Sequence, residues 1–471
     1  MPATAEHSGE ENSETADTPI SLAQHPDSWD NHRTENDWVS HMTGLIGIVI
    51  LLLLMFLVEI PVGIAMGIVG FVGVWIILTP EAALSLVGID IWSTFSKYSL
   101  SVIPLFVWMG QICFYSGVNQ NLYSTAYTWM GRTRGGLAMS TLMACAGFAA
   151  ICGSNTATAA TMTAVALPEM RKRDYDPALS TAAIACGSTL GVVIPPSVVL
   201  IVYGIYTEQS IGKLFWASTV PGIFLAALLC VTVYVMCVVR PEMGPGGPRT
   251  TLLQKIKAIP GAFEMIFLFA LVMVGLFFGI YTPTEAGAAG SLFALVLALI
   301  RRNLTWKGFV SSIIDTLKVS SMIIVIVTGA IIFGRFLTLS GLPYAVTELA
   351  SRLPVPPWMV MLVILGVYGV AGCVMDALGF LLVSIPIFFP LVTKMGYDPI
   401  WFGVMITLVT TMGAVTPPVG ISAYVVSGMS KDISLATVFK GVTWFLPAYV
   451  VAIAAMLFFP QIALILPTYV K

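Results

Sequence analysis

The chain has 471 residues, 57% of them hydrophobic and 10% charged, with a mean hydropathy of +0.91. So few polar groups cannot cover a soluble globule of this size, and the composition defines an all-α polytopic membrane protein. The net charge of -2 conceals an asymmetry: residues 1–43 hold nine acids and the single base Arg33, which leaves +6 for the remainder. All four histidines, His7, His25, His32 and His41, stand in that leader, so an intramembrane enzyme built on histidine is not expected, and no metal site other than one for sodium. The seven cysteines lie in apolar spans without metal-site spacing and read as small core residues. A P-loop, GxxxxGK[ST], is absent, which argues against an ATP-driven pump. No ring of charges or repeated filter sequence supports an ion channel.

Taken in order, the acidic leader (1–43) has too few apolar residues to bury a core and is expected to lack fixed structure, apart from a short amphipathic piece near Trp38. The first apolar run begins only near Gly44, so no cleavable signal peptide is read at the N-terminus. Spans follow at about 44–59 and 61–79, then an interfacial stretch from Ala82 to Ser96 and a long apolar helix from Ser101 to Arg132 and Arg134. Residues 135–170 carry Gly-Ser-Asn-Thr at their centre and end at Arg171, Lys172 and Arg173. Two full crossings need about 40 residues plus a turn, so a re-entrant hairpin of two half-helices is the better fit. Basic flanks place both its ends in the cytoplasm.

A helix over about 178–206 must break at Pro195-Pro196, because two prolines remove two donors and clash with the preceding turn. Such a break is tolerated in a membrane only where freed backbone groups line a polar cavity or an ion site. A span at about 214–239 leads to a basic cytoplasmic linker, 241–261. Spans at about 262–280 and 285–300 follow, then an amphipathic stretch (308–318) that runs into a span to about 337. A second hairpin over about 355–390, a second broken helix over about 398–428 and a last span at about 441–459 complete the chain.

A shift of 222 residues pairs Pro61 with Pro283, Pro168 with Pro390, Tyr175-Asp176-Pro177 with Tyr397-Asp398-Pro399, and Pro195-Pro196 with Pro417-Pro418. These coincidences without a gap indicate a duplication, 44–240 and 262–471. Each copy reads as five transmembrane helices plus one hairpin, and an odd number of crossings makes the two repeats inverted. Both termini then fall in the periplasm.

A hairpin tip beside a broken helix supplies free amides, free carbonyls and hydroxyls inside the membrane. Carbonyls and hydroxyls suit a hard cation such as sodium, and helix N-termini suit an anionic group. The sodium-binding candidates are Gly153, Ser154 and Asn155 at the first tip, Gly191, Ile194 and Pro196 at the first break, Gly372 at the second tip, and Gly413, Thr416 and Val419 at the second break. The substrate-binding candidates are Ser154, Asn155, Thr156, Ser188, Ser197, Asp376 and Pro417. Neither tip holds an Arg or Lys, so an anion would be held by helix N-termini, hydroxyls and bound sodium.

The motifs Phe148-Ala-Ala-Ile-Cys-Gly-Ser-Asn-Thr-Ala157, Leu167-Pro-Glu-Met, Gly191-Val-Val-Ile-Pro-Pro-Ser197, Ile201-Val-Tyr-Gly204, Pro283-Thr-Glu285 and Thr416-Pro-Pro-Val-Gly420 resemble the DctM-type large membrane subunit of tripartite ATP-independent periplasmic (TRAP) transporters. The resemblance covers about 44–460, with Cys152 and Asn155 standing where serines are expected. It implies an elevator-type secondary transporter of the inner membrane with no cofactor other than coupling sodium ions. It also implies a small four-helix membrane subunit, a periplasmic substrate-binding protein, and an organic acid substrate such as a C4-dicarboxylate, keto acid or sugar acid. The alternative is a self-sufficient sodium-coupled anion symporter of related architecture.

Overall fold

The computed structural model describes residues 26–247, 250–430 and 432–470, with the side chains of the first helix from Ser40 onward, and contains no strand among them. The first half runs through α1 (Pro26–Leu57), α2 (Val62–Ile77), α3 (Pro80–Phe95), α4 (Val102–Tyr115), α5 (Val118–Met130), α6 (Gly136–Cys152), α7 (Asn155–Arg171), α8 (Pro177–Ser188), α9 (Leu190–Val193), α10 (Val198–Thr207) and α11 (Ile211–Val239). The second runs through α12 (Leu252–Ala258), α13 (Pro260–Phe277), α14 (Pro283–Ile300), α15 (Trp306–Leu339), α16 (Leu342–Arg352), α17 (Pro357–Gly372), α18 (Ala377–Lys394), α19 (Pro399–Gly413), α20 (Ile421–Met429), α21 (Leu435–Val442), α22 (Leu446–Phe458) and α23 (Gln461–Leu464). Among the described residues eight helices are long and apolar enough to cross a bilayer, or nine if α21 and α22 are one bent span.

Shifted by 222 residues, α2, α5, α6, α7, α8–α9 and α10 fall on α14, α16, α17, α18, α19 and α20 with ends that differ by at most two residues. The packing follows: α2 lies on α15 while α14 lies on α4, contacts that the shift exchanges. Glycines bring α2 and α15 together, since a Cβ on Gly63 would stand 2.7 Å from the Cα of Ile326 and one on Gly70 2.7 Å from the Phe333 nitrogen. The copies diverge where their prolines differ. Pro104 sits in the first turn of α4, which is separate from α3, whereas its counterpart Ile326 lets α15 run unbroken for 34 residues.

Two local readings are corrected. The apolar run from Ser101 to Arg132 is two helices, broken at Gly117, whose φ of +75° is open to glycine without steric penalty. Within the leader, residues 26–43 are helical: α1 starts at Pro26 and continues into the first span, each added residue extending an existing hydrogen-bond ladder. Ser40 Oγ (2.8 Å) and His41 Nδ1 (2.9 Å) both donate to the Ser340 carbonyl and tie this helix to the C-terminal end of α15. Residues 1–25 lie outside the described residues.

The broken helices form the centre. Within Pro177–Thr207 an 18-residue apolar window is 94% buried, and α19 is buried along most of its length. Hairpin α6–α7 packs on α8, and hairpin α17–α18 packs on α19. Tyr203 on α10 donates to the Pro399 carbonyl at 2.6 Å and links the two broken helices. Tyr203→Phe is expected to lower stability by about 1 kcal/mol, read as a fall in the melting temperature of the purified protein.

Around this centre α2, α3, α4 and α15 form a framework in which an ion pair joins α3 to α15. Arg335 on α15 grips the carboxylate of Asp90 on α3 with two nitrogens, Nε at 2.7 Å, and the Asp90 side chain is 2% exposed. Between these four helices and the hairpins and broken helices, one hydrogen bond is found among the described residues: Tyr206 Oη to the Ala330 carbonyl, at 3.4 Å.

Candidate functional site

The first tip is built by Gly153 and Ser154. Gly153 takes φ +60°, which turns the chain sharply after α6, and the Ser154 hydroxyl caps α7 by accepting from the Ala157 amide at 3.4 Å. The first break lies against it. After α9 the chain is extended at Ile194, passes the cis Pro195–Pro196 bond and re-enters a helix at Ser197. A Cβ on Gly153 would stand 3.1 Å from the Pro196 carbonyl oxygen, so only glycine allows this approach without a shift. Asn155 Oδ1 at the tip and Ser197 Oγ at the break are both buried without a hydrogen-bond partner. Buried acceptors left open beside a broken helix are what a small cation would satisfy.

The second copy repeats the arrangement. Asp376 caps α18 by accepting from the Leu378 amide at 3.2 Å. Gly372 and Gly413 touch backbone to backbone, with a Cβ on Gly413 falling 2.5 Å from the Gly372 carbonyl carbon. The amides of Val419 and Gly420, freed by the break at the cis Pro417–Pro418 bond, both donate to the Cys373 carbonyl at 3.2 Å. Thr416 Oγ1 donates to the Met412 carbonyl at 2.6 Å, which leaves its lone pairs to accept. Ser422 Oγ, in the first turn of α20, is a further buried atom without a partner.

The copies differ in access. Pro195, Pro196 and Ser197 are buried, whereas Pro417, Pro418 and Val419 are exposed.

Both tips open on one cavity of about 620 Å³, whose walls include Gly153, Ser154, Asn155, Thr156 and Asp376. Asp376 is the one charged side chain lining it among the described residues, and no Arg or Lys does. The structure therefore brings those five candidates together. Gly191, Ile194 and Pro196 stand at the first break, Gly372 at the second tip, and Gly413, Thr416 and Val419 at the second break, all outside the cavity lining. Ser188, Ser197 and Pro417 do not line it either. The Ser188 hydroxyl turns back to the Ala185 carbonyl at 2.7 Å, Ser197 is enclosed behind the first tip, and Pro417 faces outward.

Two groups went unseen in the sequence: Ser422, two residues beyond the Thr-Pro-Pro-Val-Gly motif, and Gln111, a single amide on an apolar helix that also lines the cavity.

Two helical hairpins closed on two broken helices around a shared cavity define a membrane transport subunit rather than a receptor or a structural helical bundle. The family model described as "Tripartite ATP-independent periplasmic transporter, DctM component" matches residues 48–462, and the chain belongs to that family: it is a TRAP transporter large permease subunit. It is 32% identical over 395 residues to the C4-dicarboxylate TRAP transporter large permease protein DctM of Pseudomonas aeruginosa, covering 84% of this chain and 92% of that one. To the sialic acid TRAP transporter large permease protein SiaM of Vibrio cholerae it is 29% identical, covering 83% and 92%. To the 2,3-diketo-L-gulonate TRAP transporter large permease protein YiaN of Escherichia coli it is 31% identical, covering 71% and 79%. The fold is shared with the Alcanivorax borkumensis YdaH transporter at a TM-score of 0.58 and 12% identity, over 80% of this chain and 88% of that one.

Proposed function

We propose that this subunit couples inward sodium movement to the import of an organic acid anion, such as a C4-dicarboxylate, keto acid or sugar acid. The observation that carries the reading is the pairing of each tip with its break: buried oxygens without partners, Asn155 Oδ1 and Ser197 Oγ at one and Ser422 Oγ near the other, flank a cavity able to hold a small acid. Sodium at these oxygens would offset the charge of Asp376 and of the anion together, in a cavity with no lining Arg or Lys. The helix N-termini at Ser154 and Asp376 supply amides.

In this reading the hairpins and broken helices move as one body against the framework, and the two copies are inverted in the inner membrane with both termini periplasmic. A periplasmic binding protein delivers the acid, and a small four-helix membrane subunit completes the permease.

The test is uptake of labelled acids by proteoliposomes, with and without a sodium gradient, the small subunit and the binding protein. Uptake only with all components and sodium supports the tripartite reading. Sodium-driven uptake by this chain alone would replace it with a self-sufficient symporter. In the working system Asn155→Ala and Thr416→Ala are each expected to raise the sodium half-saturation roughly two- to tenfold, with the protein still folded in the membrane. A half-saturation unchanged in both variants would remove these residues from the ion sites.

A further inference from the structure

The central cavity does not end at the tips. It shares Gln111, Cys152, Ala157 and Ala160 with a second cavity of about 470 Å³, which in turn shares Gln120, Ala164 and Val165 with a third of about 510 Å³. The third reaches Glu169 and Arg173, at the end of the hairpin that carries Arg171, Lys172 and Arg173. A row of three cavities with shared wall residues thus follows α7 from the tips to the basic end of the bundle.

Its walls are unequal. Opposite the tips, the framework contributes Val107, Val319, Met322 and Ile323, all apolar, and Gln111 as its one polar side chain. Gln111 is half-buried at the cavity wall, and its side chain makes no hydrogen bond among the described residues. Gln120, exposed, lines both the second cavity and the third. Beyond it the Arg173 guanidinium lies over the Tyr127 ring, 4.7 Å from its centroid.

We propose that Gln111 is the framework's binding contact for the transported anion and that Gln120 receives the anion next on its way to the basic face. The proposal rests on the transport reading above and adds residues that reading does not use. A primary amide offers two N–H donors to a carboxylate and an acceptor to a hydroxyl or a protonated group. It carries no charge, so the anion is oriented without being trapped, as a release path requires. Two such amides in sequence, followed at the mouth by Arg173 and by Glu169, which Lys172 pairs at 2.7 Å, lead the anion toward the basic end in steps.

The experiment uses the complete complex in proteoliposomes with radiolabelled succinate, pyruvate and gluconate as probes of three acid classes. Gln111→Leu keeps the side chain's approximate size and removes both donors and the acceptor. It is expected to raise KM for the transported acid roughly tenfold, the loss of one hydrogen bond to a charged group, while the sodium half-saturation at saturating acid stays at the wild-type value. Gln111→Asn is expected to recover part of the affinity, which a merely structural role would not produce. Should Gln111→Leu fail to assemble, Gln120→Leu, at an exposed position, decides by a KM shift in the same direction. Wild-type KM in the assembled variants overturns the proposal alone. Absence of sodium-driven uptake of all three acids by the wild-type complex brings down the transport reading, and this proposal with it.

Discussion

Arg335→Met is expected to destabilise the protein by about 3–5 kcal/mol, the usual effect of stranding a buried charge. The asymmetry of the pair decides which partner matters. The Asp90 side chain is 2% exposed and that of Arg335 39%, so removing the arginine leaves a carboxylate enclosed without a counter-charge, whereas removing Asp90 leaves a guanidinium that is already partly exposed. Asp90→Leu is therefore expected to be milder, and the double variant Asp90→Leu, Arg335→Met is expected to recover most of the loss, because an apolar pair of similar volume fits the site. Melting temperatures of the three variants in detergent check this. Equal losses in all three would show that the pair acts by shape rather than by charge.

Gly413→Ala is expected to abolish transport. The added methyl would stand 2.5 Å from the Gly372 carbonyl carbon and 2.8 Å from the Cys373 nitrogen, both backbone, so neither can swing aside as a side chain would. Either tip and break separate, which pulls Cys373 away from the Val419 and Gly420 amides it receives, or α17 and α19 move apart. Overpacking of this kind destabilises by about 1–3 kcal/mol, and the displaced second tip would lose the geometry on which the proposed ion site depends. Gly428→Ala on α20 is the control: nothing lies within 4 Å of its Cβ position, and uptake should be unchanged. Wild-type uptake by Gly413→Ala would mean that the contact between tip and break is dispensable.

Much of this architecture was open to reading because prolines punctuate it. Pro195-Pro196 and Pro417-Pro418 mark the breaks, and two Tyr-Asp-Pro triplets mark the helix starts that follow the hairpins, where Asp176 and Asp398 cap α8 and α19. Such signals are local, written in the residues that produce the turn. The Asp90–Arg335 pair was not readable in this way, since its members are 245 positions apart and nothing local selects one carboxylate for one arginine. Direction was also hidden. Ser188 and Ser154 are both hydroxyls near a helix end, but Ser188 bonds its own helix while Ser154 caps α7 at the cavity wall. Gln111 gives no periodic signal on an apolar helix, and its role emerges only when α15 supplies the apolar residues around it.

The boundary between the framework and the central helices is nearly free of hydrogen bonds, with Tyr206 to Ala330 as its single described bridge, at 3.4 Å. Consider what this means for friction. A joint laced with directional bonds has a few deep resting positions, because every step between them leaves donors and acceptors bare at about 1–3 kcal/mol apiece. A greasy joint has no such notches: valine, isoleucine and methionine exchange one apolar neighbour for another at nearly constant energy along the slide. If the hairpins and broken helices move as the body proposed above, where it stops is set by what occupies its tips, and the bearing surface itself stays indifferent to cargo.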